Sequence, residues 1–182
     1  MPLDATPSQT IGPYYGTALP FPGGGDVVPA GHPGALVLHG YVIDGDGAPV
    51  PDALLEFWQT APDGSPAGAP GSLRRDGSVF TGFARVPTDG DGHYALRTLP
   101  PGGAPYLALC LFARGLPHHL FTRVYFALPE GDALLAALSA DRRGTLLAVP
   151  EADRPDTYRF DVRLRGDERH AETVFLAFAG TG

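Results

Sequence analysis

The six histidines are the side chains of this sequence best suited to bind a metal ion or to act as a general base. His118 and His119 are adjacent, so on a strand they would point to opposite faces and could not hold one ion together. The other four have no histidine or cysteine at the spacing of about two to five residues that zinc sites use; they are His32, His39, His93 and His170. We therefore expect no metal site built by this chain alone.

Other residue types with catalytic potential also lack the neighbours that catalysis needs. Cys110 lies in an apolar run, where we expect a protonated and buried thiol, and no serine lies in a G-x-S-x-G turn. Two Asp-Gly-Asp-Gly stretches, 44–47 and 89–92, resemble calcium loops, but the oxygen ligand and the glycine that must follow are missing. Both stretches are better explained as hairpin turns.

One arginine stands where a loop could present it to a ligand. Arg114 follows the apolar run 106–112 and precedes Gly115, at the point where a strand is expected to leave the sheet. Its guanidinium could bind an anionic group of a ligand. A solvated arginine without a ligand explains the position equally well.

Composition predicts one domain of many short strands. The 25 glycines and 20 prolines in 182 residues approach the content of low-complexity chains, but 43% hydrophobic and 10% aromatic residues are too many for disorder. A formal charge of −7 argues against nucleic acid and against an anionic membrane as partners. The single cysteine, with no secretory leader and no apolar run of about 20 residues, favours a cytoplasmic protein.

Alternating apolar and polar residues predict the strands. The clearest case is 157–165, in which apolar side chains fall on one face and arginine or aspartate on the other. The other predicted strands are 35–43, 53–59, 79–86, 93–98, 105–113, 120–128 and 173–178. Only 130–144 has helical spacing, with Asp132 as the N-cap and Gly144 as the stop. The predicted fold is all-β, a mostly antiparallel β-sandwich of about eight strands with one short helix.

The N-terminal stretch TPSQTIGPYYG (6–16) has no run that could form a helix or a long strand, yet it carries two adjacent tyrosines. Three parts of the sequence together resemble the intradiol ring-cleavage dioxygenases. The first is this stretch, and the second comprises GYVIDGDGAPVPDALLEFWQ (40–59) and TDGDGHYALRTLPPG (88–102). The third comprises LFARGL (111–116) and TRVYF (122–126) together with the C-terminal YRFDVRLRGDERHAETVFLAF (158–178). The resemblance covers most of the chain and is to the subunits of that family that carry no iron.

The resemblance implies that an iron-free subunit and an iron-bearing beta subunit pair to form each active site. In the beta subunit, two tyrosines and two histidines hold Fe(III). Aligning that pattern onto this sequence puts Pro66 and Ala104 where the tyrosines would stand. Tyr106 and Ala108 then stand at the positions of the histidines. One phenol does not make an iron site, so the resemblance implies that this chain holds neither a metal nor a catalytic residue.

The resemblance also implies a division of the chain. Residues 1–34 would form an N-terminal arm that packs on the partner subunit and lines its substrate cavity, and residues 35–182 would form the β-sandwich domain. The implied substrate-binding residues are Thr10, Gly12, Pro13, Tyr14 and Arg114, with Tyr15 as a further candidate. A Gly-Pro corner suits such an arm, because glycine permits close backbone approach and proline loses little entropy on ordering. Arg114 would bind a carboxylate or fix the interface.

The implied reaction is the cleavage of protocatechuate by dioxygen to 3-carboxy-cis,cis-muconate, with the iron held by the partner. Two alternatives stay open on the sequence alone. The turn pattern of the middle segments also occurs in transthyretin-like domains, which would make this chain a binding or structural module without a catalytic partner. A self-sufficient iron enzyme is the other alternative.

Overall fold

The computed structural model describes residues 9, 10, 12, 14–66 and 78–178. They contain nine strands: β1 (Leu36–Ile43), β2 (Leu54–Trp58), β3 (Phe83–Pro87), β4 (His93–Thr98), β5 (Leu107–Phe112), β6 (Leu120–Val124), β7 (Val149–Pro150), β8 (Thr157–Arg159) and β9 (Val162–Arg163). Three short helices accompany them: α1 (Tyr15–Ala18), α2 (Ala133–Ala136) and α3 (Ala140–Gly144).

The strands form two sheets around a common core. One sheet has the order β4-β1-β8-β7, with β9 also paired to β1, and the other has the order β3-β2-β5-β6. All pairs are antiparallel except β1–β8 and β1–β9, which are parallel. The predicted all-β sandwich, mostly antiparallel, is therefore confirmed.

Apolar side chains from both sheets meet in the core. Its buried members include Leu38, Val42, Tyr94, Leu96, Leu55, Phe57, Leu109 and Leu111. The hydroxyl of Tyr94 donates a 2.6 Å hydrogen bond to the backbone oxygen of Phe160, which joins β4 to the chain between β8 and β9. The buried polar end of this tyrosine is thus satisfied inside the sandwich.

The helix prediction is correct at its start and wrong in its extent. Asp132 caps α2 as expected, because its side chain accepts hydrogen bonds from the backbone N–H groups of Leu134 and Leu135. Ser139 has an extended backbone conformation and separates α2 from α3, so the predicted single helix is two short ones. The expectation that 6–16 has no run that could form a helix is wrong at the end of this stretch, since the four-residue α1 begins at Tyr15. Residues 6–8, 11 and 13 lie outside the described residues.

Two strand predictions and one turn prediction differ from the structure. The segment 173–178 is not a strand, because it contacts β6 through one bridge between Phe121 and Leu176 and through a hydrogen bond from the Thr122 hydroxyl to the Val174 oxygen. The turn 89–92 is not a hairpin, because β3 and β4 belong to different sheets. The long run 157–165 is divided into β8 and β9.

The segment 24–28, before β1, is part of the sandwich. Val27 and Val28 are buried, and the backbone N–H of Val27 donates to the oxygen of Arg97 on β4. On the other side, the backbone N–H of Arg85 on β3 donates to the oxygen of Gly24. The segment 24–28 therefore bridges the two sheets. Among the residues that the structure describes, no helix is long and apolar enough to cross a membrane.

Candidate functional site

Arg114 stands at the apex of a tight turn after β5. Ala113 is buried, Gly115 has a positive φ of 90°, and the N–H of Leu116 donates back to the oxygen of Ala113. Glycine is suited to that left-handed backbone conformation. The turn leaves the side chain of Arg114 62% exposed, so the expected loop presentation of this arginine is observed.

The pairing of β2 with β5 places an aspartate beside Arg114. Leu54 lies opposite Phe112 at the end of the register, and Asp52 and Arg114 each lie two residues beyond this pair. Arg114 Nε and Asp52 Oδ2 are 3.1 Å apart. Asp52 could not be singled out from the sequence, because its role depends on the register of strands that are more than fifty residues apart.

The N-terminal segment reaches the same cluster through α1. The side chain of Tyr15 is buried, and its hydroxyl lies near the backbone N–H of Arg114 without the geometry of a hydrogen bond. Burial and the charge of Asp52 raise the pKa of Tyr15 to about 12, although the backbone N–H and the charge of Arg114 oppose the rise. Tyr15 therefore remains a neutral phenol at physiological pH. We call Tyr15, Asp52 and Arg114 the arm cluster.

The residues implied for the substrate cavity are only partly brought together. Arg114 lies beside the N-terminal segment through Tyr15, whereas Thr10 is exposed, Gly12 is half-exposed and Tyr14 is 79% exposed. Pro13 lies outside the described residues. An exposed tyrosine next to a buried one provides a large apolar surface that another protein or a ligand could cover.

The positions aligned with iron ligands do not fit a ferric ion. Ala108 lies opposite Arg123 in the β5–β6 register, and the Arg123 guanidinium sits 4.0 Å from the centre of the Tyr106 ring. That guanidinium is held by the Tyr125 hydroxyl at 3.0 Å and the Asp132 carboxylate at 3.3 Å. A fixed cation over Tyr106, the one phenol among the aligned positions, repels a second cation. Pro66 and Ala104, which offer no side-chain donor, complete the aligned set.

Two histidines that the sequence left apart meet on the outer side of β1 and β4. His39 Nδ1 lies 3.2 Å from His93 Nε2. Glu151 Oε1 lies 3.0 Å from His39 Nε2, but the angles at this contact are not those of a hydrogen bond. Their pairing depends on the strand register, so spacing along the chain could not reveal it. No group of three or more possible metal ligands occurs within the described part of the chain.

The thiol of Cys110 has the inert character that the sequence predicts, although it is half-buried rather than fully buried. Burial and the charge of Glu56 raise its pKa to about 12 from an ordinary 9.0. Because the thiolate is the reacting form, we expect alkylation of the folded chain by iodoacetamide to accelerate about tenfold per pH unit up to about pH 11. The urea-unfolded chain serves as the control and should level off near its ordinary pKa; a plateau near 9 in the folded chain would contradict the assignment.

Comparisons with known proteins find relatives of this chain among the dioxygenases. The family model described as "Dioxygenase" matches residues 12–108. The protocatechuate 3,4-dioxygenase alpha chain of Burkholderia cepacia is 39% identical over 96% of this chain and 98% of its own length. The alpha chain of Pseudomonas putida is 35% identical over 97% and 98%. The beta chain of Burkholderia cepacia is 28% identical over 72% of this chain and 64% of its own length.

The fold of this chain is also similar to that of a solved dioxygenase domain. The dioxygenase domain of a dioxygenase and carbohydrate-binding protein fusion from Streptomyces sp. SirexAA-E has a TM-score of 0.57 and 26% identity, covering 94% of this chain and 100% of that one. The match extends along nearly the whole of both chains. The present chain therefore belongs to the intradiol ring-cleavage dioxygenase family.

Proposed function

We propose that this chain is the iron-free alpha subunit of a protocatechuate 3,4-dioxygenase, which pairs with an iron-bearing beta subunit. The pair cleaves protocatechuate with dioxygen to 3-carboxy-cis,cis-muconate. The observation that carries the proposal is the Arg123 guanidinium over the ring of Tyr106. Tyr106 is the one aligned ligand position with a side-chain donor, and a fixed cation over its ring disfavours a metal ion there. The similarity to alpha chains over nearly the full length supports the same reading.

The contribution of this chain is to enclose the substrate. Ferric iron on the beta subunit supplies the chemistry with dioxygen, and the protein around it excludes water and orients the ring. In this proposal residues 1–34 form the arm on the beta subunit, anchored to their own sandwich at 24–28, and residues 35–182 form the sandwich domain. Thr10, Gly12, Pro13 and Tyr14 line the cavity.

Arg114 supplies a positive charge to that cavity. Protocatechuate carries a carboxylate, and an arginine at the apex of an exposed turn can bind a carboxylate through two parallel N–H groups. The same guanidinium could instead bind a carboxylate of the beta subunit and hold the interface. The two roles differ in their consequences for catechol, which has no carboxylate.

The pairing is tested by purifying the chain alone and together with a beta chain of this family. We expect the pair to show the colour of ferric iron bound by tyrosinate and to consume oxygen with protocatechuate, because the ligands come from the beta chain. The chain alone, after incubation with iron, is expected to stay colourless and inactive. Stoichiometric iron and activity in the isolated chain would instead establish a self-sufficient enzyme.

A truncated chain separates the proposal from the transthyretin-like alternative. Removing residues 6–16 takes away the dipeptide Gly12-Pro13 and also Tyr15, which is buried against the sandwich. In the proposed role this truncation abolishes assembly or activity of the pair. A module without a catalytic partner would tolerate the loss, and an active truncated pair would contradict the role of the arm.

A further inference from the structure

We infer that Asp52 is a positioning residue, which fixes the direction of the Arg114 guanidinium and thereby favours a carboxylated substrate. The inference rests on the proposed function, in which Arg114 faces the substrate cavity. Asp52 itself does not touch the substrate. Three observations carry the inference: the geometry of the ion pair, the difference in exposure between its members, and the contact of Asp52 with the N-terminal arm.

Asp52 holds the guanidinium by one edge. Its Oδ2 lies 3.1 Å from Nε of Arg114. A guanidinium is planar and has two edges that can each bind a carboxylate, one containing Nε and one formed by the two terminal nitrogens. With Asp52 at the Nε edge, the terminal edge is directed away from Asp52. A substrate carboxylate then meets a donor pair that is oriented before it binds.

The two members of the ion pair differ in exposure. The side chain of Asp52 is 27% exposed and that of Arg114 is 62% exposed. Asp52 is therefore the more fixed side chain of the two, and it sets the direction of the Arg114 guanidinium. Ion pairs this open to solvent contribute little to stability. Loss of the aspartate charge should release Arg114 into several rotamers and leave the fold intact.

Asp52 also contacts the arm. A Cβ at Gly16 would lie 3.1 Å from the backbone oxygen of Asp52. α1 therefore packs directly on the turn before β2 that contains Asp52. The carboxylate lies near the buried hydroxyl of Tyr15 as well. One residue thus links the arm to the turn that carries Arg114. Asparagine has the size of aspartate, so Asp52→Asn removes the charge without disturbing the packing of α1.

The test uses the enzyme assembled with its beta subunit and two substrates, protocatechuate and catechol. We expect Asp52→Asn to raise the Michaelis constant for protocatechuate about tenfold with little change in kcat. The constant for catechol should stay within about twofold. Because Asp52 acts through Arg114, the double variant Asp52→Asn/Arg114→Ala should behave like Arg114→Ala alone. Asp161→Asn, which breaks the 2.9 Å ion pair with Arg159 on the other sheet, is the matched control and should change neither constant.

The possible results separate this inference from the proposed function. A selective effect of Arg114→Ala combined with no effect of Asp52→Asn overturns the positioning role alone. Equal effects of Asp52→Asn on both substrates also overturn it, because they indicate a structural role. Equal effects of Arg114→Ala on both substrates overturn the carboxylate contact and, with it, this inference.

Discussion

Arg114→Ala in the assembled enzyme is expected to raise the Michaelis constant for protocatechuate about 30-fold or more. In the proposed assembly the subunit interface desolvates Arg114 and the substrate carboxylate. Truncating one partner of such a pair costs about 2–5 kcal/mol, and about 1.4 kcal/mol corresponds to a factor of ten. Catechol lacks the carboxylate, so its constant should change less than about threefold. Steady-state oxygen uptake with the two substrates measures the difference directly.

Arg154 provides a matched control for this experiment. It is also an exposed arginine, and its ion pair with Glu151 is loose at 3.8 Å. Arg154→Ala should leave both Michaelis constants unchanged, because it lies on the loop before β8, away from the arm cluster. If Arg114→Ala instead weakens the association of the two subunits and affects both substrates alike, Arg114 serves the interface and not the substrate.

Local patterns in the sequence were sufficient to predict most of the strands and the start of α2. β4 occupies 93–98 as predicted, and the predicted β1 differs by one residue, because alternation of apolar and polar side chains is a property of the strand itself. The cap of α2 at Asp132 was equally predictable, since a capping side chain bonds to residues two and three positions further on. These features depend on neighbours in the chain.

The arrangement of charges could not be predicted in the same way. Asp52 meets Arg114, His39 meets His93, and Arg123 covers Tyr106 only because particular strands pair in particular registers. A shift of one residue in any of these registers would separate the two members of the pair, because it turns the side chains of the shifted strand to the opposite face. The resemblance implied that the four aligned positions lack the family's iron ligands, but nothing in the sequence indicated that the Arg123 guanidinium lies over Tyr106.

Gly40 is another residue whose importance depends on the tertiary fold. It lies in the middle of β1, the strand that pairs with β4 on one side and with β8 and β9 on the other. A Cβ at Gly40 would collide with the backbone oxygen of Phe160, and it would also lie 3.2 Å from the Tyr94 hydroxyl. The missing side chain thus makes room for the hydrogen bond between Tyr94 and Phe160.

Gly40→Ala is therefore expected to destabilise the chain by about 3 kcal/mol. Overpacking a core costs about 1–3 kcal/mol, and a displaced Phe160 oxygen leaves the buried Tyr94 hydroxyl unpaired, which costs a further 1–3 kcal/mol or so. Urea unfolding followed by circular dichroism measures the loss. With slopes of about 1–3 kcal/mol per molar urea, the midpoint should fall by about 1–3 M.

Gly90→Ala separates the steric effect from the general effect of replacing a glycine. Gly90 lies in the exposed turn before β4, where a Cβ would meet no atom within 4 Å. Its backbone φ is not in the left-handed region, so alanine is accommodated there and should leave the urea midpoint unchanged or raise it slightly. Equal midpoints for the two variants would mean that β1 can move away from Phe160 at no cost, and that the Tyr94 hydrogen bond does not hold the two parts of this sheet together.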